Sequence, residues 1–472
     1  MGISALAASK WVVFISFPLR SLSFYYFSKR TPFDIASFTG AILYGLIPWH
    51  FTYITILGNP TYSLCFIFLP PLFKFSSDKE YLHLVLASIS FSLITLSHHG
   101  TGFLIAYALI WYSLFSGILY FQLRDSFFRL IQIGLISIGV LCFFWMPYIF
   151  YSNMIGSFNV PFEPKHETLI QLVQKSHFMY LGLPILILSI ISMIIVTISK
   201  NKEGVLYSLM TGVSLTLTFG YMNPKMQFIY PFSKIIGPGY RFNILSSFSI
   251  SMLIYELIKS ITNTPQQFNM LKKFEKYQLN KINILVLLFS ILTLCASIVT
   301  IFPLSVFYNM PIPSSHVSVF SAISNKPKDG RAWWVPRGAL ETSTPMFTEL
   351  PTPDGWYDQG VSPEIYFLIH DLADVQLTEN PFYFVEKLKE LSVKYLIVHS
   401  GPISESLKYD EGLTPVSENP DLVLFQVKNI DPVTTHSPPA NWRIIRRIGL
   451  LFSGTTILFL WFFERLRKGL EI

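Results

Sequence analysis

The sequence predicts a mainly α-helical, polytopic membrane bundle with a small α/β extracytoplasmic domain, and three observations carry that expectation. First, 51% of its 472 residues are apolar and only 13% are charged, whereas a soluble domain carries about 25% charged residues. Mean hydropathy is +0.47. Second, apolar runs of roughly the length that crosses a bilayer as a helix recur along the chain. Third, the stretch 304–440 departs from this pattern, holding many prolines and most of the acidic residues.

By length and composition the spans fall near 5–27, 36–57, 60–75, 82–97, 101–121, 130–151, 178–199, 204–222, 241–259, 282–303 and 443–464, about eleven in all. The run 60–75 contains Pro70 and Pro71, and 82–97 is short. A re-entrant hairpin is therefore the alternative for that pair, and it leaves the downstream orientation unchanged.

Orientation follows from the placement of Lys and Arg, which concentrate on cytoplasmic connections. One alternate set of connections holds Lys29 with Arg30, Lys74 with Lys79, Arg124 with Arg129, Lys200 with Lys202, five lysines between 259 and 281, and Arg465, Arg467 and Lys468. These outnumber the basic residues of the opposite set, so they are assigned to the cytoplasm, together with the carboxyl terminus. The chain then divides into a transmembrane part (1–303), an extracytoplasmic domain (304–440), and a last helix with a short cytoplasmic tail (441–472). The amino terminus begins outside. The first apolar run carries Lys10 and Arg20, so either an odd number of helices is missing upstream or residues 1–27 lie as an interfacial helix. No cleavable signal peptide is read there.

The formal net charge of +7 does not imply nucleic acid, because the basic residues sit in short clusters between apolar runs, as topology-setting charges do. Cys65, Cys142 and Cys295 are widely spaced within apolar segments, which implies neither a disulfide framework nor a zinc knuckle.

Within 304–440, "PFYFVEKLKELSVKYLIVHSG" (381–401) reads as an amphipathic helix with Phe384, Leu388 and Leu391 inward, followed by a buried strand from Tyr395 to Val398. "LTPVSENPDLVLFQVKN" (413–429) reads as two strands joined by an Asn-Pro turn. "DGRAWWVPRG" (329–338) and "TPDGWYDQGVSPEIY" (352–366) read as aromatic loops, a composition that binds sugars or packs over a membrane site.

Several blocks taken in order resemble a known family: "AILYGLIPWHFTYITILGNPTYSLCFIFLPPLFKF" (41–75), "LITLSHHGTGFLIAY" (93–107), "GPGYRFNI" (237–244), "GWYDQG" (355–360), "LKELSVKYLIV" (388–398) and "LVLFQV" (422–427). They are similar to membrane proteins described as 6-pyruvoyl-tetrahydropterin synthase-related, whose architecture resembles that of C-type glycosyltransferases. The resemblance implies a polyprenyl-phosphate-linked sugar held at the outer membrane face, membrane lipids as partners, and an acidic residue in the first large outer loop as base or metal ligand. A divalent metal stays open as a cofactor. This sequence departs from the pattern, because the acidic loop is not found and "GNPTYS" has no carboxylate. A non-catalytic relative assisting surface glycan assembly is therefore the alternative, and a transporter is disfavoured by the scarcity of charge within the spans. The synthase activity itself requires a histidine cluster for zinc, whereas His316, His370, His399 and His436 are scattered singly.

Candidate site residues gather in the connections assigned to the outer face. Arg241 enters an apolar helix beside Tyr240, where its planar fork suits a phosphate. His98 and His99, in "SHHGTG", either contact a diphosphate or metal or cap a helix that ends at Gly100. Neighbours on one helix point about 100° apart, which argues against both facing one ligand. Glu163 and Glu167 are the carboxylates closest in sequence to a catalytic role. Asp354, Trp356 and Asp358 suit a sugar, whose hydroxyls would donate to the carboxylates while its ring stacks on the indole.

Overall fold

Apolar runs in hydrocarbon fold as helices because each unpaired peptide group there costs several kcal/mol. A computed structural model describes residues 5–29, 34–47, 49–50, 62–150, 181, 183–220, 239–263, 291, 295, 313–324, 326–327, 329–335, 350, 381–430 and 441–470. The chain divides into two compact units, one formed by 1–145, 161–309 and 447–472, the other by 146–160 and 310–446.

The described part of the first unit is helical. In chain order it comprises α1 (Ala5–Ser28), α2 (Ile35–Leu46), α3 (Tyr62–Ser76), α4 (Tyr81–Ser97), α5 (His99–Tyr120), α6 (Leu123–Val140), α7 (Cys142–Phe150), α8 (Leu183–Ile198), α9 (Lys202–Gly220) and α10 (Asn243–Asn263). A 3-10 turn, Gly239–Phe242, leads into α10. Most expected spans thus correspond to a helix, but two are not continuous. The run 36–57 stops being helical at Ile47, whose ψ of 129° is extended, and the run 130–151 is two helices meeting at Leu141. The 282–303 run lies almost wholly outside the described residues. Among the described residues, His99–Tyr120 is long and apolar enough to cross a bilayer, and Ile35–Leu46, Tyr62–Ser76, Tyr81–Ser97 and Ile185–Ile198 are apolar but shorter.

Side-chain exposure carries the membrane character. Phe128, Ile131, Leu135 and Ile138 form a stripe along α6 and are 57% to 65% exposed. Ile187, Ile190, Ile191, Ile194 and Ile198 form a second exposed stripe on α8. Contiguous apolar faces of this kind are a liability in water and the normal surface of a helix in lipid. The interior is the more polar side. Ser246, Ser247, Ser249 and Ser251 of α10 are buried, as are Thr211 and Ser214 of α9. Thr211 donates to Ser249 Oγ at 3.0 Å and Ser246 to Ser214 Oγ at 2.9 Å. Small hydroxyl residues let helix backbones approach closely and hydrogen-bond across the gap.

Arg20 sits within α1, and an interfacial helix would turn it toward headgroups. Here it is fully buried, donating from Nη2 to the Gly45 carbonyl at 2.8 Å with its guanidinium 3.6 Å from the Phe17 ring centre. Sequence hydropathy alone could not show that α1 packs on α2 and α3.

The final helix, α14 (Trp442–Leu470), closes on α7. A Cβ on Gly449 would lie 2.6 Å from Phe143 Cα and 2.8 Å from the Cys142 carbonyl oxygen. Backbone atoms cannot yield as a side-chain tip can, so Gly449→Leu is expected to separate the two helices and cost about 1–3 kcal/mol. A melting temperature equal to the parent's, measured in the same detergent, would refute that packing.

The second unit contains a four-stranded sheet of order β1-β2-β4-β3, with β1 (Arg331–Val335), β2 (Val393–His399), β3 (Leu413–Glu418) and β4 (Leu422–Val427). β1 and β2 are parallel, and β4 is antiparallel to both β2 and β3. Strand alternation sends Trp333, Leu396, Val398, Val423 and Phe425 to one face, joined by Val393 before the register shift at Arg331/Ala332, and there they bury Phe384, Val385 and Leu388 of α12 (Pro381–Glu390). Trp334, Tyr395, Ile397, Leu422 and Leu424 take the other, beneath Val319, Phe320 and Ile323 of α11 (Ser314–Ser324). A short α13 (Pro402–Leu407) follows β2. The expected helix, strand and Asn-Pro hairpin are present. "RAWWV", expected as a loop, is instead strand β1, and its two tryptophans are buried on opposite faces of the sheet.

Candidate functional site

α4 and α5 are joined by a single residue, His98, with φ −160° and ψ 105°. Its backbone N–H closes α4 on the Ile94 carbonyl at 3.0 Å. Its side chain opens α5: Nδ1 accepts from the Thr101 backbone N–H at 3.0 Å, as an N-cap side chain does. The break therefore falls at His98, and Gly100 lies buried in the first turn of α5. Because His98 is extended rather than helical, the 100° rule does not separate the two imidazoles. Their rings lie nearly parallel, 11° apart in plane, with centres at 5.7 Å.

Two further elements reach the same place. Tyr62, at the start of α3, sets its ring edge-on to His98 at 5.4 Å, and its hydroxyl donates to the Arg241 carbonyl at 3.5 Å. Arg241, from the 3-10 turn, brings its guanidinium over the first turn of α5: a Cβ added to Gly100 would lie 3.2 Å from Arg241 Nη1. The sequence candidates His98, His99 and Arg241 are thus brought together, with Tyr62 and Gly100 as members that sequence reasoning missed. Tyr240 contributes backbone to the turn, and its side chain lies outside the described residues, as do Glu163, Glu167, Asp354, Trp356 and Asp358.

Among the described residues the electrostatics of this cluster are one-sided. Burial, then the Arg241 charge, then His99 hold the His98 imidazole well below its ordinary value. It is neutral, and because Nδ1 accepts from Thr101, the hydrogen-bond network assigns its proton to Nε2. The first turn of α5 adds the positive end of a helix dipole. A guanidinium, a helix N-terminus and an imidazole N–H converge, an arrangement suited to an anion.

Acid should weaken this corner. In the unfolded chain His98 titrates near about 6.5, and in the folded chain it titrates lower, so the unfolded state binds more protons as pH falls. The stabilisation is complete above the unfolded value and is lost on acidification through the folded one. The expected loss is about 1 kcal/mol, the worth of one N-cap. His98→Asn keeps a capping acceptor without a titrating ring, so its melting temperature should vary less between pH 8 and pH 5 than the parent's. Superimposable profiles would exclude the assignment.

A cavity of about 420 Å³ lies at the other end of α5, lined among others by Asp78, Tyr112, Tyr120, Asp125, Arg129 and Glu203. Beside it the turn between α3 and α4 gathers Asp78, Glu80 and His83, half-exposed groups whose donor atoms lie within 4.8 Å of one another and could hold a metal ion. Burial would raise the Asp78 carboxyl, but the Glu80 backbone N–H and the His83 ring outweigh it and hold it below its ordinary value. The signal was in the sequence, as Asp78-x-Glu80-x-x-His83.

No protein-family model matches the chain, and no curated protein matches it. Among solved structures, the archaeal oligosaccharyltransferase AglB from Archaeoglobus fulgidus, in complex with an inhibitory peptide and a dolichol-phosphate, aligns over 91% of this chain and 64% of its own, with 12% identity and a TM-score of 0.43. The chain thus spans a little under two thirds of that protein. ArnT from Cupriavidus metallidurans aligns in its apo state over 89% of this chain and 84% of its own, with 12% identity and a TM-score of 0.39. Bound to undecaprenyl phosphate it aligns over 90% and 85%, with 10% identity and a TM-score of 0.41. The narrower resemblance to the synthase-related proteins finds no counterpart in these comparisons.

Proposed function

We propose that this chain is a multi-pass membrane protein that binds the phosphate of a polyprenyl-phosphate-linked sugar at the outer membrane face, in the manner of a glycosyltransferase. The observation that supports this most is the meeting of Arg241 with the first turn of α5 and the neutral His98. Both the guanidinium and the helix N-terminus are electropositive, so an anion beside them is attracted by both. A phosphate on a long isoprenoid tail fits a site within a bundle whose helices present apolar faces to lipid. In this reading the more basic connections are cytoplasmic, about eleven spans cross the membrane, and 304–440 lies outside with the sugar. Glu163 or Glu167 then supplies the catalytic carboxylate, and Trp356 and Asp358 meet the sugar.

A second reading is favoured by the composition of the cluster. Its described members are a cation, neutral rings and backbone amides, with no carboxylate among them. A protein that holds the lipid phosphate without transferring the sugar needs no more.

Both readings require recognition of phosphate. Purified protein titrated with a short-chain polyprenyl phosphate and with the corresponding polyprenol should bind the phosphate at least tenfold more tightly. Equal affinity for the two lipids would sink both readings. Release of sugar from a polyprenyl-phosphate sugar by bound protein would then separate enzyme from binder.

A further inference from the structure

We propose that Asp78, Glu80 and His83 form a binding site for a first-row divalent cation, at the end of α4 opposite His98. α4 has 17 residues, so the two places are about 25 Å apart along its axis. This site is independent of the phosphate reading.

The donors are of the right kind and nearly in place. His83 Nδ1 lies 2.8 Å from Asp78 Oδ2 and 3.8 Å from Glu80 Oε2. Ligands sharing one ion at about 2.0–2.2 Å stand roughly 3–3.5 Å from each other in octahedral or tetrahedral geometry. Small side-chain rotations therefore close the three on one ion. One imidazole with two carboxylates suits Mn²⁺ or Zn²⁺ better than a cation that prefers an all-oxygen shell.

What surrounds the donors also matches a metal site. The Glu80 backbone N–H donates to Asp78 Oδ1 at 3.2 Å, leaving Oδ2 toward His83. The His83 ring stacks on Phe75 with centres 4.8 Å apart. Arg129 donates from Nη2 to the Glu80 carbonyl at 2.9 Å and to the Phe75 carbonyl at 3.4 Å, pinning both ends of the turn. Lys79, the ammonium nearest in sequence, is drawn away by Asp125 at 3.2 Å. Supports of this type orient ligands before the ion arrives. Asp78 also lines the 420 Å³ cavity, which Glu80 and His83 do not.

The test is a Mn²⁺ titration of the purified full-length protein in detergent, read as loss of the free-ion electron paramagnetic resonance signal, with Zn²⁺ competing. One tight equivalent is expected in the parent, weakened at least tenfold in Asp78→Asn and in His83→Ala. His83→Gln serves if the alanine variant does not fold. The paired variant His98→Ala, His99→Ala should keep parental affinity. The site is overturned if the parent binds no Mn²⁺ at millimolar concentration, if the Asp78 and His83 variants bind like the parent, or if only the His98, His99 variant loses the ion.

Discussion

Arg241→Ala is expected to weaken polyprenyl-phosphate binding by about 10- to 100-fold while leaving polyprenol binding unchanged. A hydrogen bond to a charged group contributes about 1.5–3 kcal/mol, and about 1.4 kcal/mol is a factor of ten. The guanidinium reaches within 3.2 Å of where a Gly100 side chain would begin, so its loss opens the site without disturbing the apolar packing of α10 behind it. Arg241→Lys should fall between parent and alanine, because lysine restores charge but not the planar fork. Isothermal titration with both lipids reads the effect. An alanine variant with parental affinity for the phosphate would remove Arg241 from the site.

Glu256→Ala is expected to lower unfolding stability by about 3 kcal/mol, the effect of stripping one partner from a buried ion pair. Glu256 is 2% exposed, within α10. Its carboxylate receives Lys259 Nζ at 2.9 Å and the Asn201 amide at 3.0 Å, and the same amide donates to Ser260 Oγ at 2.7 Å. Asn201 lies between α8 and α9 and also accepts from the Gly204 backbone N–H at 3.2 Å, so the network ties the α8–α9 connection to α10. Removing the carboxylate takes the anion from Lys259 and leaves the Asn201 amide facing a methyl group. The pair Glu256→Leu, Lys259→Met should recover part of the loss, since two apolar groups leave no orphaned charge. Thermal unfolding of the single and double variants checks both statements. A double variant no more stable than Glu256→Ala would show that the cost lies in packing instead.

Much of the fold was legible because hydrophobic length and period are local properties. α5 and α9 coincide closely with apolar runs, and Phe384, Leu388 and Leu391 face inward at helical spacing as read. What failed did so for local reasons too. Trp333 and Trp334 in β1 are flanked by Asp-Gly and Pro-Arg-Gly, turn signals that masked a strand made by pairing with β2. The break at Ile47 was legible but unread, because Pro48 follows it and disfavours helical backbone at the residue before it, and the break at Leu141 falls two residues after Gly139. The candidate site was legible one residue at a time: His98 and Arg241 were each recognisable, but residues so far apart in the chain meet only through the packing of α3, α5 and α10. Glu256, near the end of the 241–259 run, is the buried centre of a network that local sequence does not signal.

The one-residue connection at His98 has a mechanical meaning. An ordinary loop has slack, so a side chain within it can swing toward a ligand without moving anything else. His98 has none: its backbone ends one helix and its ring holds the next. Any reorientation of that ring changes the angle between α4 and α5, and α4 is the principal neighbour of α3. The site proposed for phosphate is therefore stiff. It would gain affinity from not having to be ordered on binding, and it would select among ligands by the shape the whole bundle has already set.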